Sequence, residues 1–181
     1  MGSYYYLLSQ LPFLTFGQKP PMTSRQFKDL ALPLMEKNDA AVFALIDTYN
    51  KKNHAEWQPS GSVFFDNWVE WENCLRLNLA KQRFIKIKRD GVPPAEPPEF
   101  PSDAVITAAK AMQENPLDAE ALINKARWNT IETLQGTDYF SSNSVFAYML
   151  KLQILERHIL FQTESGLSEY KSLYASIGDY K

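Results

Sequence analysis

From Phe64 to Arg89 the chain carries Trp68, Trp71, Leu75 and Leu79 at steps of three and four. A strand would throw these bulky groups onto alternate faces, whereas an α-helix stacks them along one stripe. The segment therefore reads as a helix of about seven turns, and a stripe of indole and leucine needs other helices to cover it. Lys86, Lys88 and Arg89 fall in its last turn, where cations complement the helix dipole, and Gly91 supplies a stop. Directly after it, residues 93–101 carry five prolines, the pattern of an extended, semi-rigid connector.

The remaining segments follow the same helical rhythm. The opening Tyr4-Tyr5-Tyr6-Leu7-Leu8 mixes strand and helix preferences and reads as a short helical or extended piece packed on the core. Gly17 and Pro20-Pro21 mark a loop. Thr23-Ser24 starts a helix with Phe27, Leu30, Ala31 and Leu34 on one face, bent or ended by Pro33. Asn38-Asp39 caps a second, with Val42, Leu45, Ile46 and Tyr49 aligned. Pro59 to Ser62 is a turn. Ser102-Asp103 starts a helix through Met112, and Asn115-Pro116 is a cap followed by a first-turn proline. That next helix aligns Leu117, Ala121, Trp128 and Ile131 and closes at Gly136. Ser141 to Ser144 offer a cap for a helix from about Val145 to Thr163, apolar over most of its circumference and so buried on several sides. Gly166 ends it, and Leu167 to Ile177 suits a last short helix.

The expected fold is all-α, a helical bundle of about six to seven helices. It forms one domain over 1–181, divisible into halves 1–92 and 102–181 joined by the proline-rich linker 93–101. Each half has a long helix with a late arginine (Arg83, Arg157) and a terminal glycine (Gly91, Gly166). A duplicated unit and the chance likeness of two amphipathic helices explain that equally well.

A chain of 181 residues that is 45% hydrophobic can bury a core without disulfides or metals. A net charge of -2 provides no general field for nucleic-acid phosphates, so no nucleic acid is expected as partner. The lone Cys74 cannot form an internal disulfide, which fits a reducing compartment. Met1 to Phe16 lacks a positively charged start and is interrupted by Pro12, a poor signal peptide. No stretch reaches the roughly 18 apolar residues of a membrane span, so the expected location is cytoplasmic.

No catalytic, cofactor-binding or metal-binding residue is expected. His54 and His158 have no cysteine or carboxylate at a metal-ligand spacing; His54 reads as solvated and His158 as core or boundary. Glu70 and Glu72 are two apart on a helix, do not face each other, and read as two solvated charges. Cys74 has no nearby base and reads as a buried structural thiol. Phosphate-binding and nucleophile-elbow motifs are missing from the sequence. Pro94-Ala95-Glu96-Pro97 reads as linker.

Two charged groups are candidate partner contacts. Arg83, Lys86, Lys88 and Arg89, with Lys81, form a basic helix end suited either to the helix dipole or to an acidic protein partner. Lys151, Glu156 and Arg157 interrupt an otherwise apolar helix, and burial without partners would cost several kcal/mol each, on the order of magnitude known for buried charges. They are either paired across helices or face a seam where another protein docks.

Three stretches carry a resemblance: Ser3 to Pro12; Glu114-Asn115-Pro116-Leu117-Asp118-Ala119-Glu120 continuing to Lys125-Ala126-Arg127-Trp128; and Val145 to Arg157. Together they resemble a short uncharacterised bacterial family encoded in V-type ATPase operons, itself similar to a compact form of the C (or d) subunit of the V/A-type ATPase. The third stretch, with Ala147-Tyr148, Lys151 and Glu156-Arg157, carries most of the likeness to that larger protein. The chain is about half its usual length. The resemblance implies a non-catalytic connector between the central stalk and the membrane rotor ring. Its partners would be other V/A-type ATPase subunits, with the protein peripheral at the inner face of the plasma membrane. The alternative is a helical adaptor or assembly factor for another complex.

Overall fold

A computed structural model of the chain describes residues 4–49, 58–87 and 95–160, and every regular element among them is helical. The chain begins with α1 (Tyr5–Ser9), a short helix held down at its start by the Tyr4 N–H, which donates to Phe140 O at 2.8 Å. The mixed opening segment is thus helical, with Leu7 turned into the core.

The next helix, α2 (Ser24–Ala31), starts where the sequence signals it. Thr23 Oγ1 accepts from the Gln26 N–H, and the Thr23 N–H donates back to Gln26 Oε1, a reciprocal capping box. Phe27 and Ala31 are buried one turn apart, while Leu30 and Leu34 of the expected apolar face remain exposed. Pro33 tightens the continuation into a 3-10 turn, Leu32–Leu34.

Helix α3 (Lys37–Tyr49) corrects the expected cap at Asn38-Asp39. The Ala40 N–H already donates to Glu36 O at 2.8 Å, so the helix begins earlier. Asp39 lies inside the first turn and accepts from the Tyr4 hydroxyl at 2.5 Å.

Gly61, at a φ of 82°, turns the chain into α4 (Val63–Ile87). Its Phe64, Phe65, Trp68, Trp71, Leu75 and Leu79 are all buried. Lys88, Arg89 and Gly91, expected at its end, lie outside the described residues, as do His54 and the first two linker prolines.

The rest of the connector lies along α4. Asn78 Nδ2 donates to Pro98 O at 3.2 Å and to Cys74 O at 2.9 Å, and the Cys74 thiol faces Pro98 O at 3.4 Å.

Helix α5 (Ser102–Ala111) follows, and its Asp103 accepts from Trp71 Nε1 at 2.8 Å, tying it to α4. Asn115 Oδ1 accepts from the Leu117 and Asp118 N–H groups to open α6 (Pro116–Gln135), with Pro116 in the first turn as expected. Trp128 and Ile131 are buried, but Leu117, at the helix end, is exposed. Gly136, at a φ of 71°, ends α6, a conformation glycine adopts without a Cβ clash. Helix α7 (Ser142–Leu160) starts a turn earlier than Val145. Gly166 and the expected last helix lie outside the described residues.

Helices α4 to α7 pack each on the next, α2 and α3 lie against α7, and α4 also meets α6 and α7. One continuous core runs through this arrangement, from Phe27 and Phe43 through Phe65 and Leu75 to Ile131, Phe146 and Leu152. Each such side chain contributes about 1.5–3 kcal/mol by leaving water. Among the described residues, no helix is long and apolar enough to cross a membrane.

Candidate functional site

The strongest electrostatic feature is buried and corrects the expectation of two solvated carboxylates. Glu70 is exposed, but Glu72 is only 2% exposed. Glu72 Oε1 accepts from Arg76 Nε at 2.8 Å and Arg127 Nη2 at 2.7 Å, and Oε2 accepts from Arg127 Nε at 2.9 Å. Arg127 Nη1 also donates to Asn124 Oδ1 at 3.0 Å. Burial alone would raise the Glu72 carboxyl; the Arg127 guanidinium, then Arg76, outweighs it and holds the group below the usual carboxylate range. Burial alone would likewise lower Arg127, and Glu72 raises it instead. Spacing along α4 correctly separates Glu70 from Glu72, but it is blind to a partner on α6. Arg76, four residues on, is the local hint.

The three charges of α7 find partners across helices. Glu156 accepts from the Ser24 N–H at 2.6 Å and from the Ser24 hydroxyl at 2.7 Å, placing a carboxylate at the start of α2. Arg157 Nε lies 2.8 Å from Glu120 Oε1. Lys151 Nζ lies 3.3 Å from Glu132 Oε1 and 5.0 Å from the centre of the Trp128 ring. Burial lowers the Lys151 ammonium, partly opposed by Glu132. Of the two readings of these charges, internal pairing is the one these distances describe.

The basic end of α4 lies at the surface. Lys81, Arg83 and Lys86 are exposed there, together with Ile85 and Ile87. Lys86 Nζ donates to Met112 O at 2.9 Å, a cation at the C-terminal end of α5. Lys88 and Arg89 belong to the same candidate group but lie outside the described residues.

A second surface is aromatic, and the spacing of residues does not foretell it. The Tyr5 ring meets that of Phe140 at a tilt of 49° with ring centres 4.7 Å apart, and the Tyr148 hydroxyl donates to Pro12 O at 3.0 Å. These contacts hold the opening segment against the α6–α7 junction and leave a groove of about 550 Å³ lined by Leu8, Leu11, Phe13, Gly136, Tyr139 and Tyr148. Phe13, at 90% exposure, and Tyr139 line this groove and are exposed, and α1, which adds Leu8 to it, also exposes Tyr5 and Tyr6, the latter at 70%. The signal is present in Tyr4-Tyr5-Tyr6 and Phe13, but a residue's exposure is set by what folds over it. Burial raises Tyr148 to about 12, and burial with the Asp39 hydrogen bond raises Tyr4 to about 12.

The other candidate groups have structural surroundings. Cys74 is buried, and burial raises its thiol. His158 is half-buried, its ring 5.7 Å from that of Phe16. Among the described residues, no group of three or more histidine, cysteine, aspartate or glutamate side chains could hold a metal ion.

Residues 104–179 match a protein family described as "Protein of unknown function (DUF2764)". The matched span begins within α5 and takes in α6 and α7, and with them the second and third stretches of the resemblance. Comparison with curated proteins and with solved structures gives no match.

Proposed function

We propose that this chain is a non-catalytic component that binds other proteins, acting as a connector between the central stalk and the membrane rotor ring of a V/A-type ATPase, in the manner of the C (or d) subunit. In that role it is peripheral at the inner face of the plasma membrane. The observation that carries the reading is the convergence of the three resembling stretches. The first stretch meets the third beside the α6–α7 junction, where the Tyr148 hydroxyl donates to Pro12 O at 3.0 Å, and the third meets the second where Arg157 Nε lies 2.8 Å from Glu120 Oε1 and Lys151 Nζ 5.0 Å from the centre of the Trp128 ring. Exposed aromatic side chains gather at that junction. Aromatic residues are over-represented at the cores of protein interfaces, and a cluster of them on a surface marks a binding face. The basic end of α4, with Ile85 and Ile87, is a second face for an acidic partner.

The test is affinity capture of the tagged full chain from cells that carry its gene, with and without Phe13→Asp and Tyr6→Asp. Recovery of stalk and rotor-ring subunits with the unmodified chain, lost in the double variant, is the expected result. Recovery of an unrelated complex instead would favour the adaptor reading. Substrate turnover by the purified chain would overturn the non-catalytic assignment.

A further inference from the structure

Trp68 and Asn124 each bury an N–H donor that has no hydrogen-bond partner among the described residues. The Trp68 indole Nε1 and the Asn124 amide Nδ2 are both shielded from solvent, in residues 4% and 0% exposed. Buried N–H groups left without a partner are rare, because such a group gives up its hydration with nothing in return. The two side chains come from different helices, α4 and α6, yet line the same small cavity. Its volume is about 40 Å³, and Glu72, Arg127, Leu150 and Gln153 are among its other walls.

We propose that this cavity is a hydration site, in which ordered water accepts from Trp68 and Asn124. Size sets the first limit. One water needs about 10–15 Å³ of such space, so the cavity has room for about three or four and for no organic ligand. Charge sets the second. A small anion could accept from both donors, and Arg127 and Arg157 also border the cavity, but these guanidinium groups already face Glu72 and Glu120, and an anion has no proton to offer the buried Glu72 carboxylate. Water has protons to give. Among the described residues Glu72 Oε2 takes a single bond, from Arg127 Nε at 2.9 Å, and a carboxylate oxygen has two lone pairs. A water chain from the two N–H donors to Oε2 would give both donors an acceptor and extend the ion pair into a network joining α4 to α6. Bound water of this kind is part of the fold.

The test is a high-resolution crystal structure of the full chain grown with bromide, alongside Trp68→Phe. Water peaks within hydrogen-bond reach of Trp68 Nε1 and Asn124 Nδ2, without anomalous bromide signal, are the expected result. The peak beside Trp68 should vanish in Trp68→Phe. An empty cavity, or bromide in it, overturns the proposal. In solution, the Trp68 indole proton, assigned by its loss in Trp68→Phe, should show a cross-relaxation peak to long-lived bound water. Should Trp68→Phe fail to fold, Asn124→Asp offers the same crystallographic comparison: it removes the amide donor, and its water peak should shift or disappear. An unchanged peak there also counts against the site.

Discussion

Arg127 reaches from α6 to Glu72 on α4 and holds it with both arms of its guanidinium, Nε to Oε2 at 2.9 Å and Nη2 to Oε1 at 2.7 Å. The pair is 55 residues apart in sequence and among the most deeply buried charges described. Removing one member strips the other, still buried, of its closest counter-charge, and Arg76 beside Glu72 or Glu120 at 3.9 Å from Arg127 offsets only part of the loss. Arg127→Leu and Glu72→Leu should each destabilise the chain by about 3–5 kcal/mol, and the double Leu variant by less than the sum of the two. Urea unfolding midpoints at unchanged slope measure this. Additive losses would mean that the two residues do not act as a pair.

The same pair sets a response to acid. The Glu72 carboxyl is held below its usual range by Arg127 and Arg76 against the effect of burial. In the unfolded chain it titrates near the ordinary glutamate value of about 4.3. The folded value is the lower one, so its stabilisation is fully present above that unfolded value and is lost as pH falls through the folded value. Unfolding free energy of the unmodified chain should therefore fall more steeply below about pH 4.3 than that of Glu72→Gln. Parallel curves for the two proteins would count against the linkage.

Helices are legible in the sequence because their evidence is local. The spacing of Trp68, Trp71, Leu75 and Leu79, the Thr23 and Asn115 caps and Gly136 all act within a few residues of where they stand. The start of α3 escapes such reasoning because Asp39, a good cap by type, is engaged by Tyr4, 35 residues away. Glu72 escapes it for the same reason. An apolar helix containing Lys151, Glu156 and Arg157 announces that partners are needed, but not that they are Glu132, Ser24 and Glu120. Tertiary pairing has no fixed spacing, and the exposed aromatic junction is equally a product of tertiary packing.

Glu156 and Ser24 provide a test of how α7 secures α2. The carboxylate accepts from both the backbone N–H and the hydroxyl of Ser24, at the end of α2 where backbone donors would otherwise lack partners. Glu156→Ala should cost about 1–2 kcal/mol, the range of a lost charge-assisted hydrogen bond or helix cap. Glu156→Gln keeps the acceptor but not the charge and should cost less. Thermal unfolding separates the two variants; equal losses would assign the effect to packing alone.

The aromatic junction predicts a separation of stability from binding. Phe13 is 90% exposed and Tyr6 is 70% exposed, so neither side chain loses much water contact on folding. Replacing either by aspartate should change the unfolding free energy by about 0.5 kcal/mol or less, the usual range for surface positions. Tyr148 differs, because its hydroxyl holds Pro12 at 3.0 Å and its ring lies 4.7 Å from that of Phe27. Tyr148→Ala should destabilise by about 2 kcal/mol or more, as core truncations do. If the junction is where another protein binds, Phe13→Asp and Tyr6→Asp should abolish co-purification of that protein while leaving the melting curve in place. Arg83→Glu at the far end of α4 gives the matching comparison for the basic face. Loss of capture only in variants that also melt early would show that the exposed rings serve the fold and not a partner.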